Sequence, residues 1–310
     1  PEVAQDILRN VDAQSARDAP SILQGQSALE ILQSTRDELP IITFCAQIDR
    51  LLGGGVPIGE VTEFCGIPGV GKTQLSIQVA VDSHIPRAFG GPEGEAVYID
   101  TEGSFMVERV AQMASALVAH LHSIARSRGS AELTEVASRV TVESVLQGIH
   151  VYRVHDHVQQ VAVVDGLDAF MRAHPRVRAV IIDSVTFHFR HGFSDMGVRS
   201  RLLSGLSLQL HKLATTRRCA IMLVNQVTTR IRDGDGAVVP ALGDTWSHAC
   251  TNRLMLSLKD GVRWAELVKS PSRQRGKACY AVTASGIRDY RPAGDTRPAA
   301  AAAAAGAGSG

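Results

Sequence analysis

From Ile41 onward, nearly continuous apolar runs alternate with longer stretches whose apolar residues recur every three or four positions. Val61 to Cys65, "AVYID" (Ala96 to Asp100), "IHVYRV" (Ile149 to Val154), "AVIID" (Ala179 to Asp183) and "AIMLVN" (Ala220 to Asn225) read as strands buried on both faces. Gln74 to Val81, Met106 to Arg126, Val158 to Ala173 and Arg199 to Thr216 read as helices between them. That order predicts an α/β fold with a mainly parallel sheet flanked by helices. Near the end, "RLMLSL", "WAELVK" and "ACYAVT" are short strand-like runs with polar turns and no helix between them. They predict a C-terminal antiparallel extension along one edge of the sheet.

The flanks differ from this core. Residues 1–40 are expected to be the remnant of an N-terminal helical domain plus a linker, with Val3, Ile7, Leu8 and Val11 at helical spacing. In "SALEILQS", Ser27 and Glu30 have the spacing of a capping box. The core is expected over 41–290, with a helix in "IITFCAQIDRLLGGG" ended by Gly53, Gly54 and Gly55. The alanine-rich segment 291–310 carries too little apolar mass to fold and is expected to be a disordered, low-complexity tail.

Composition narrows the class. The 310 residues are 45% hydrophobic and 20% charged, with a formal net charge of +1, so any nucleic-acid binding must come from a local basic patch. Five widely spaced cysteines include no C-x-x-C pair, which argues against a zinc site or a disulfide framework and for a reducing compartment. The eleven histidines show no metal-ligand spacing, and "HDH" (His155 to His157) reads as a solvated strand end. No apolar run is long enough to span a membrane, and a secretory signal is not expected.

The chemistry centres on "GIPGVGKT", Gly66 to Thr73, which satisfies G-x-x-x-x-G-K-[ST] between a strand and a helix. Successive backbone N–H groups in such a loop wrap a phosphate chain at a helix N-terminus. Gly66, Gly69, Val70, Gly71, Lys72, Thr73 and Gln74 form the expected nucleotide-contacting set. Lys72 would reach the β- and γ-phosphates of ATP, and the Thr73 hydroxyl would ligate Mg²⁺. Asp183, closing an apolar strand, would hold the same Mg²⁺ or one of its waters. Glu102 in "YIDTEGSF" either orients the water that attacks the γ-phosphate or is a surface glutamate in a turn. Asn225 and Gln226 are either amides facing a γ-phosphate or ordinary strand-end residues. Two loops follow, from Arg190 to Arg201 and from Thr228 to Ala249. Their Arg190, Arg199, Arg201, Arg230 and Arg232 either bind phosphodiesters or are solvated. "KSPSRQRGK", Lys269 to Lys277, adds a basic turn for this surface or for a neighbouring subunit.

"GIPGVGKTQL", "YIDTEGSF", "AVIIDSV" and "LVNQVTT", in this order, resemble the RecA-like strand-exchange recombinases of archaea and eukaryotes. The details "FGGPEGEAVYIDTEGSFMVERV", "VPALGDTWSHA" and "KSPS" are similar to the C-type branch of the eukaryotic paralogues. The resemblance spans about Ala28 to Arg288. It implies a RecA-like DNA-dependent ATPase in homologous-recombination repair, nuclear and also cytoplasmic, working with ATP, Mg²⁺, single-stranded DNA and other recombinase paralogues in hetero-oligomers. By position it implies Lys72 and Thr73 as nucleotide lysine and Mg²⁺ ligand, Asp183 as the Walker B acid, Glu102 as catalytic glutamate and Gln226 as γ-phosphate sensor. The two arginine-bearing loops match its DNA-binding loops. Two departures matter. Gly25 stands where the F-x-x-A polymerisation motif has its phenylalanine, so a long self-filament is not expected. Met106 stands where the recombinases carry an arginine against the adenine. An adaptor whose ATP site is mainly structural is the alternative; a ring helicase or clock-type ATPase fits these motifs less well.

Overall fold

The computed structural model describes residues 25, 27–36, 38–190, 193, 195–232 and 235–292. The expected helical face at Val3, Ile7, Leu8 and Val11 and nearly all of the expected tail lie outside those residues. Two compact units are distinguished, Pro1–Glu38 and Leu39–Gly310. In the first, α1 (Ala28–Arg36) starts with the predicted reciprocal cap: Ser27 N donates to Glu30 Oε2 at 2.7 Å, and Glu30 N to Ser27 Oγ at 3.2 Å.

The second unit is built on a nine-stranded sheet. Its strands are β1 (Val61–Gly66), β2 (Glu95–Asp100), β3 (Ile149–Arg153), β4 (Val177–Asp183), β5 (Ala220–Asn225), β8 (Asn252–Lys259), β9 (Val262–Lys269), β10 (Gly276–Thr283) and β11 (Gly286–Asp289). The order across the sheet is β11-β10-β9-β8-β1-β5-β4-β2-β3. Strands β8, β1, β5, β4, β2 and β3 are parallel, and β8 through β11 pair antiparallel. The antiparallel extension predicted from the sequence is therefore present, and its first strand joins the parallel set beside β1. A fourth strand, β11, is added to the three expected.

Alternation along the parallel strands divides the core in two. Phe64, Tyr98, Ile181 and Met222 pack with α3 (Lys72–Asp82) and α4 (Val107–Arg128). Val97, Ile99, Val180, Ile182 and Leu223 pack on the other face with α7 (His157–Ala173) and α8 (Met196–Arg217). Each such side chain, fully buried, contributes roughly 1.5–3 kcal/mol, which is why these strands read as continuous apolar runs. The predicted helices are found with small shifts at their ends, and α2 (Ala46–Leu52) ends at Gly53, whose φ of 82° needs glycine. Two short helices, α5 (Ala131–Ser138) and α6 (Val142–Gln147), lie in a stretch for which the pattern gave no element.

The expected loop Arg190–Arg201 and the expected helix Arg199–Thr216 overlap at Arg199 and Arg201, and the structure gives both residues to the helix, whereas the second loop is corrected. Arg199 and Arg201 lie on the first turns of α8, because Asp195 caps that helix by accepting from Gly197 N at 2.6 Å and Val198 N at 3.3 Å. The segment after Gln226 contains an antiparallel hairpin, β6 (Val227–Arg232) and β7 (Asp235–Pro240). Arg230 and Arg232 lie on β6, and their side chains fall outside the described ones.

Candidate nucleotide site and the rim beyond it

The parallel strands deliver their carboxyl ends to one rim. Asp100 is in register with Asp183, and Cys65 with Asn225, so the chain leaves β1, β2, β4 and β5 at the same level. The Gly66–Thr73 loop follows β1, and α3 begins at Lys72 itself. A Cβ at Gly66 would lie 2.8 Å from the Leu256 carbonyl oxygen, whereas Gly71 is required by its φ of 104°. Val70 is buried, and its carbonyl accepts from the Tyr280 hydroxyl at 2.8 Å, which ties the loop to β10.

Lys72 Nζ donates to the carbonyls of Gly66 at 2.8 Å and Ile67 at 3.0 Å. Burial lowers its pKa, opposed by the nearby carboxylates of Asp183 and Glu102. Asp183 is buried. Burial pushes its pKa up to about 6, against hydrogen bonds from the Thr73 and Tyr98 hydroxyls and the charge of Lys72. The Tyr98 bond is 2.8 Å long. Thr73 and Asp183, far apart in sequence, thus meet.

Glu102 is placed by a lock between β2 and β4. Thr101 Oγ1 donates to the Ser184 carbonyl at 2.8 Å and accepts from Ser184 N at 2.7 Å. Asp100 caps the turn by accepting from Ser104 N at 3.0 Å. Glu102 Oε1 then accepts from Ser184 Oγ at 2.5 Å and from Gln226 Nε2 at 2.9 Å. Gln226 Oε1 in turn accepts from Arg190 Nη1. A continuous hydrogen-bonded path therefore runs from Ser184 beside Asp183, through Glu102 and Gln226, to Arg190.

The remaining candidates are placed as follows. Asn225 is buried, donating to Glu63 Oε1 at 2.6 Å and to the Ala241 carbonyl at 3.2 Å, so its amide points into the core and not to the rim. Gln74 Oε1 accepts from Arg109 Nε at 2.7 Å. Arg199 Nε donates to the Phe189 carbonyl at 2.6 Å, while Arg201 is exposed. Lys269 donates to the carbonyls of Ser247 at 3.0 Å and Cys250 at 2.5 Å, which engages it within its own chain. Met106, at the N-cap of α4, is 59% exposed.

With that geometry in place, a family model described as Rad51 matches residues 35–290, most of the chain. The chain belongs to the Rad51 family. Among curated proteins it is similar to DNA repair protein RAD51 homolog 3 of Cricetulus griseus, 43% identical over 294 residues that cover 93% of this chain and 80% of that protein. Its similarity to the protein of the same name from Dictyostelium discoideum is 40% identity over 268 residues, covering 86% and 70%. These relatives support a Rad51 paralogue of the C type, as the motifs indicated.

The Rad51 core has the donor set a nucleotide and Mg²⁺ require. Among the loop glycines Gly69 faces open space, and Lys72 could exchange two carbonyls for phosphate oxygens. Thr73 and Asp183 would offer the hard oxygen ligands that Mg²⁺ prefers. Two features were missed by sequence reasoning. The first is a cavity of about 410 Å³ on the rim, lined by His155, His157, His188, Arg190 and Gln226 among others. "HDH" is thus part of a concave surface, with Asp156 capping α7 by accepting from Gln159 N at 2.7 Å. The second is the buried carboxylate of Glu63, which accepts from Asn225, from Trp246 Nε1 at 2.8 Å and from Arg253. It anchors the chain at both ends of the β6–β7 hairpin. No local motif announces either feature, because their members come from separate elements.

Proposed function

We propose that this chain binds ATP with Mg²⁺ in its Gly66–Gln74 loop, hydrolyses it slowly, and uses the γ-phosphate to set its grip on single-stranded DNA. It would do so in hetero-oligomers with other recombinase paralogues during DNA repair by homologous recombination, in the nucleus and also in the cytoplasm. The observation that carries the reading is the path Ser184–Glu102–Gln226–Arg190. It joins Ser184, beside Asp183, to Arg190, the first residue of the arginine-bearing loop 190–201.

In this reading Lys72 neutralises phosphate charge, and Thr73 and Asp183 hold Mg²⁺, which polarises the phosphoryl oxygens when bound. Glu102 orients the attacking water and takes up its proton. Gln226 turns toward the γ-phosphate, and its bond to Arg190 is then broken or remade, so that Arg190, with Arg199, Arg201, Arg230 and Arg232, meets phosphodiesters in one nucleotide state more than in the other. Gly25, with no aromatic anchor, favours a mixed complex over a long self-filament.

A second reading, an adaptor whose ATP site is mainly structural, is favoured by Met106, exposed where an arginine would cover the adenine. The two are separated by single-stranded DNA affinity with and without a non-hydrolysable ATP analogue. The first reading predicts tightening by about 5- to 150-fold, the usual range of coupling between two sites. In Gln226→Ala the nucleotide affinity should stay and the tightening should vanish. Tightening of normal size in that variant would contradict the path; equal DNA affinity with and without nucleotide in the unmodified chain would favour the adaptor.

A further inference from the structure

At the opposite end of the sheet, where the parallel strands begin, three side chains distant in sequence converge. Glu95 opens β2, His150 lies on the edge strand β3, and His174 follows the last turn of α7. His150 Nε2 lies 2.9 Å from Glu95 Oε2, and one ligating atom from each of the three falls within 4.8 Å of the others. Both imidazoles rest on Phe170, His150 edge-on with centroids 5.1 Å apart and His174 stacked at 4.2 Å. Rings supported in this way are pre-oriented.

A further imidazole lies on the inner side of Glu95. A Cβ at Gly148 would be 2.2 Å from His84 Nε2 and 3.4 Å from Glu95 Cγ, so the two side chains border the same small space. His84 Nδ1 faces the carbonyls of Ala80 at 3.1 Å and Val81 at 3.3 Å. The ring also lies against the Gly148 backbone.

We propose that Glu95, His150 and His174 bind a borderline divalent transition-metal ion, for which Zn²⁺ is the best match. Two imidazoles and one carboxylate form a zinc set that keeps a further position open, and Mg²⁺ would choose oxygen-rich ligands instead. Bonds of about 2.1 Å place neighbouring donors roughly 3.4 Å apart, so the cluster closes by side-chain rotation. Arg176 Nε, 3.7 Å from Glu95 Oε1, approaches the other carboxylate oxygen and leaves Oε2 to the histidines. A bound ion would pin edge strand β3 to β2 and to the end of α7. The inference is independent of the nucleotide chemistry at the opposite rim. Cysteine and histidine spacing argued against zinc because it registers only ligands close in sequence.

The test is titration of the tag-free full chain, in excess Mg²⁺, with Co²⁺ as a spectroscopic probe and then with Zn²⁺ in competition. One equivalent of Co²⁺ should bind with the visible bands of a low-symmetry nitrogen and oxygen site, and Zn²⁺ should displace it. Glu95→Gln and His174→Ala, checked for cooperative unfolding, should each weaken binding at least tenfold. His155→Ala with His157→Ala should leave it unchanged. Three results would overturn the site: no saturable binding at micromolar metal, unaltered binding in both Glu95→Gln and His174→Ala, or loss of binding in the His155/His157 variant.

Discussion

Replacing Lys72 by alanine is expected to reduce ATP turnover at least about a hundredfold while leaving the fold intact. The lysine sits on the first turn of α3, and its hydrogen bonds go to loop carbonyls, which water can serve in its absence. Stability should therefore change little. The electrostatic loss is larger, because Asp183 and Glu102 both act on this ammonium. Without it, the rim presents two carboxylates to an incoming triphosphate. Lys72→Arg keeps the charge but replaces a compact ammonium with a planar fork, so binding should survive better than turnover. Phosphate release and thermal melting on the same preparations separate the two effects. Turnover at the level of the unmodified chain in Lys72→Ala would show that any ATPase signal arises elsewhere.

Arg253→Ala is expected to cost about 3–5 kcal/mol of folding stability, the usual penalty for leaving a buried charge without its partner. Glu63 is fully buried on β1, and Arg253 is 8% exposed on β8. Burial alone would lower the Arg253 pKa, yet the Glu63 carboxylate raises it above its ordinary value, with Cys250 and Cys65 contributing. Asn225, Trp246 and Cys250 satisfy the rest of the carboxylate, and none of them supplies a positive charge. Removing both charges together, as Glu63→Gln with Arg253→Met, should recover much of the loss, since two buried charges are then no longer desolvated. Urea unfolding at constant m-value measures both variants. A loss under 1 kcal/mol in Arg253→Ala would mean that water reaches Glu63.

The contrast between these two residues explains what the sequence could reveal. Lys72 belongs to an eight-residue pattern whose geometry is local, and Asp183 closes a strand long enough to announce itself. Placing both on one rim needed only the rule that parallel strands deliver ligand-binding residues at their carboxyl ends. Glu63 meets Asn225 across 162 positions of sequence and Arg253 across 190, and no periodicity encodes such a meeting. Asn225 and Gln226 stand side by side, yet only Gln226 faces Glu102, because side chains alternate along a strand and Asn225 takes the inward register. The β6–β7 hairpin falls where the sequence suggests a loop, because Arg230, Arg232, Gly234 and Gly236 interrupt its apolar residues. The alternation in "VTTRIR" and the "DGDG" that follows are hairpin signals of moderate strength. Arg199 and Arg201 stand where the predicted loop and the predicted helix overlap, and Asp195, a helix cap by type and spacing, decides for the helix.

In the proposed function, the hydrogen-bonded path Ser184–Glu102–Gln226–Arg190 couples nucleotide state to the grip on DNA. ATP hydrolysis by the purified full chain, with and without single-stranded DNA, tests it most directly. On that proposal DNA engaging Arg190 would free Gln226 to act on Glu102 and the γ-phosphate, so turnover should rise severalfold on adding DNA. Turnover unchanged by saturating single-stranded DNA would contradict the claim.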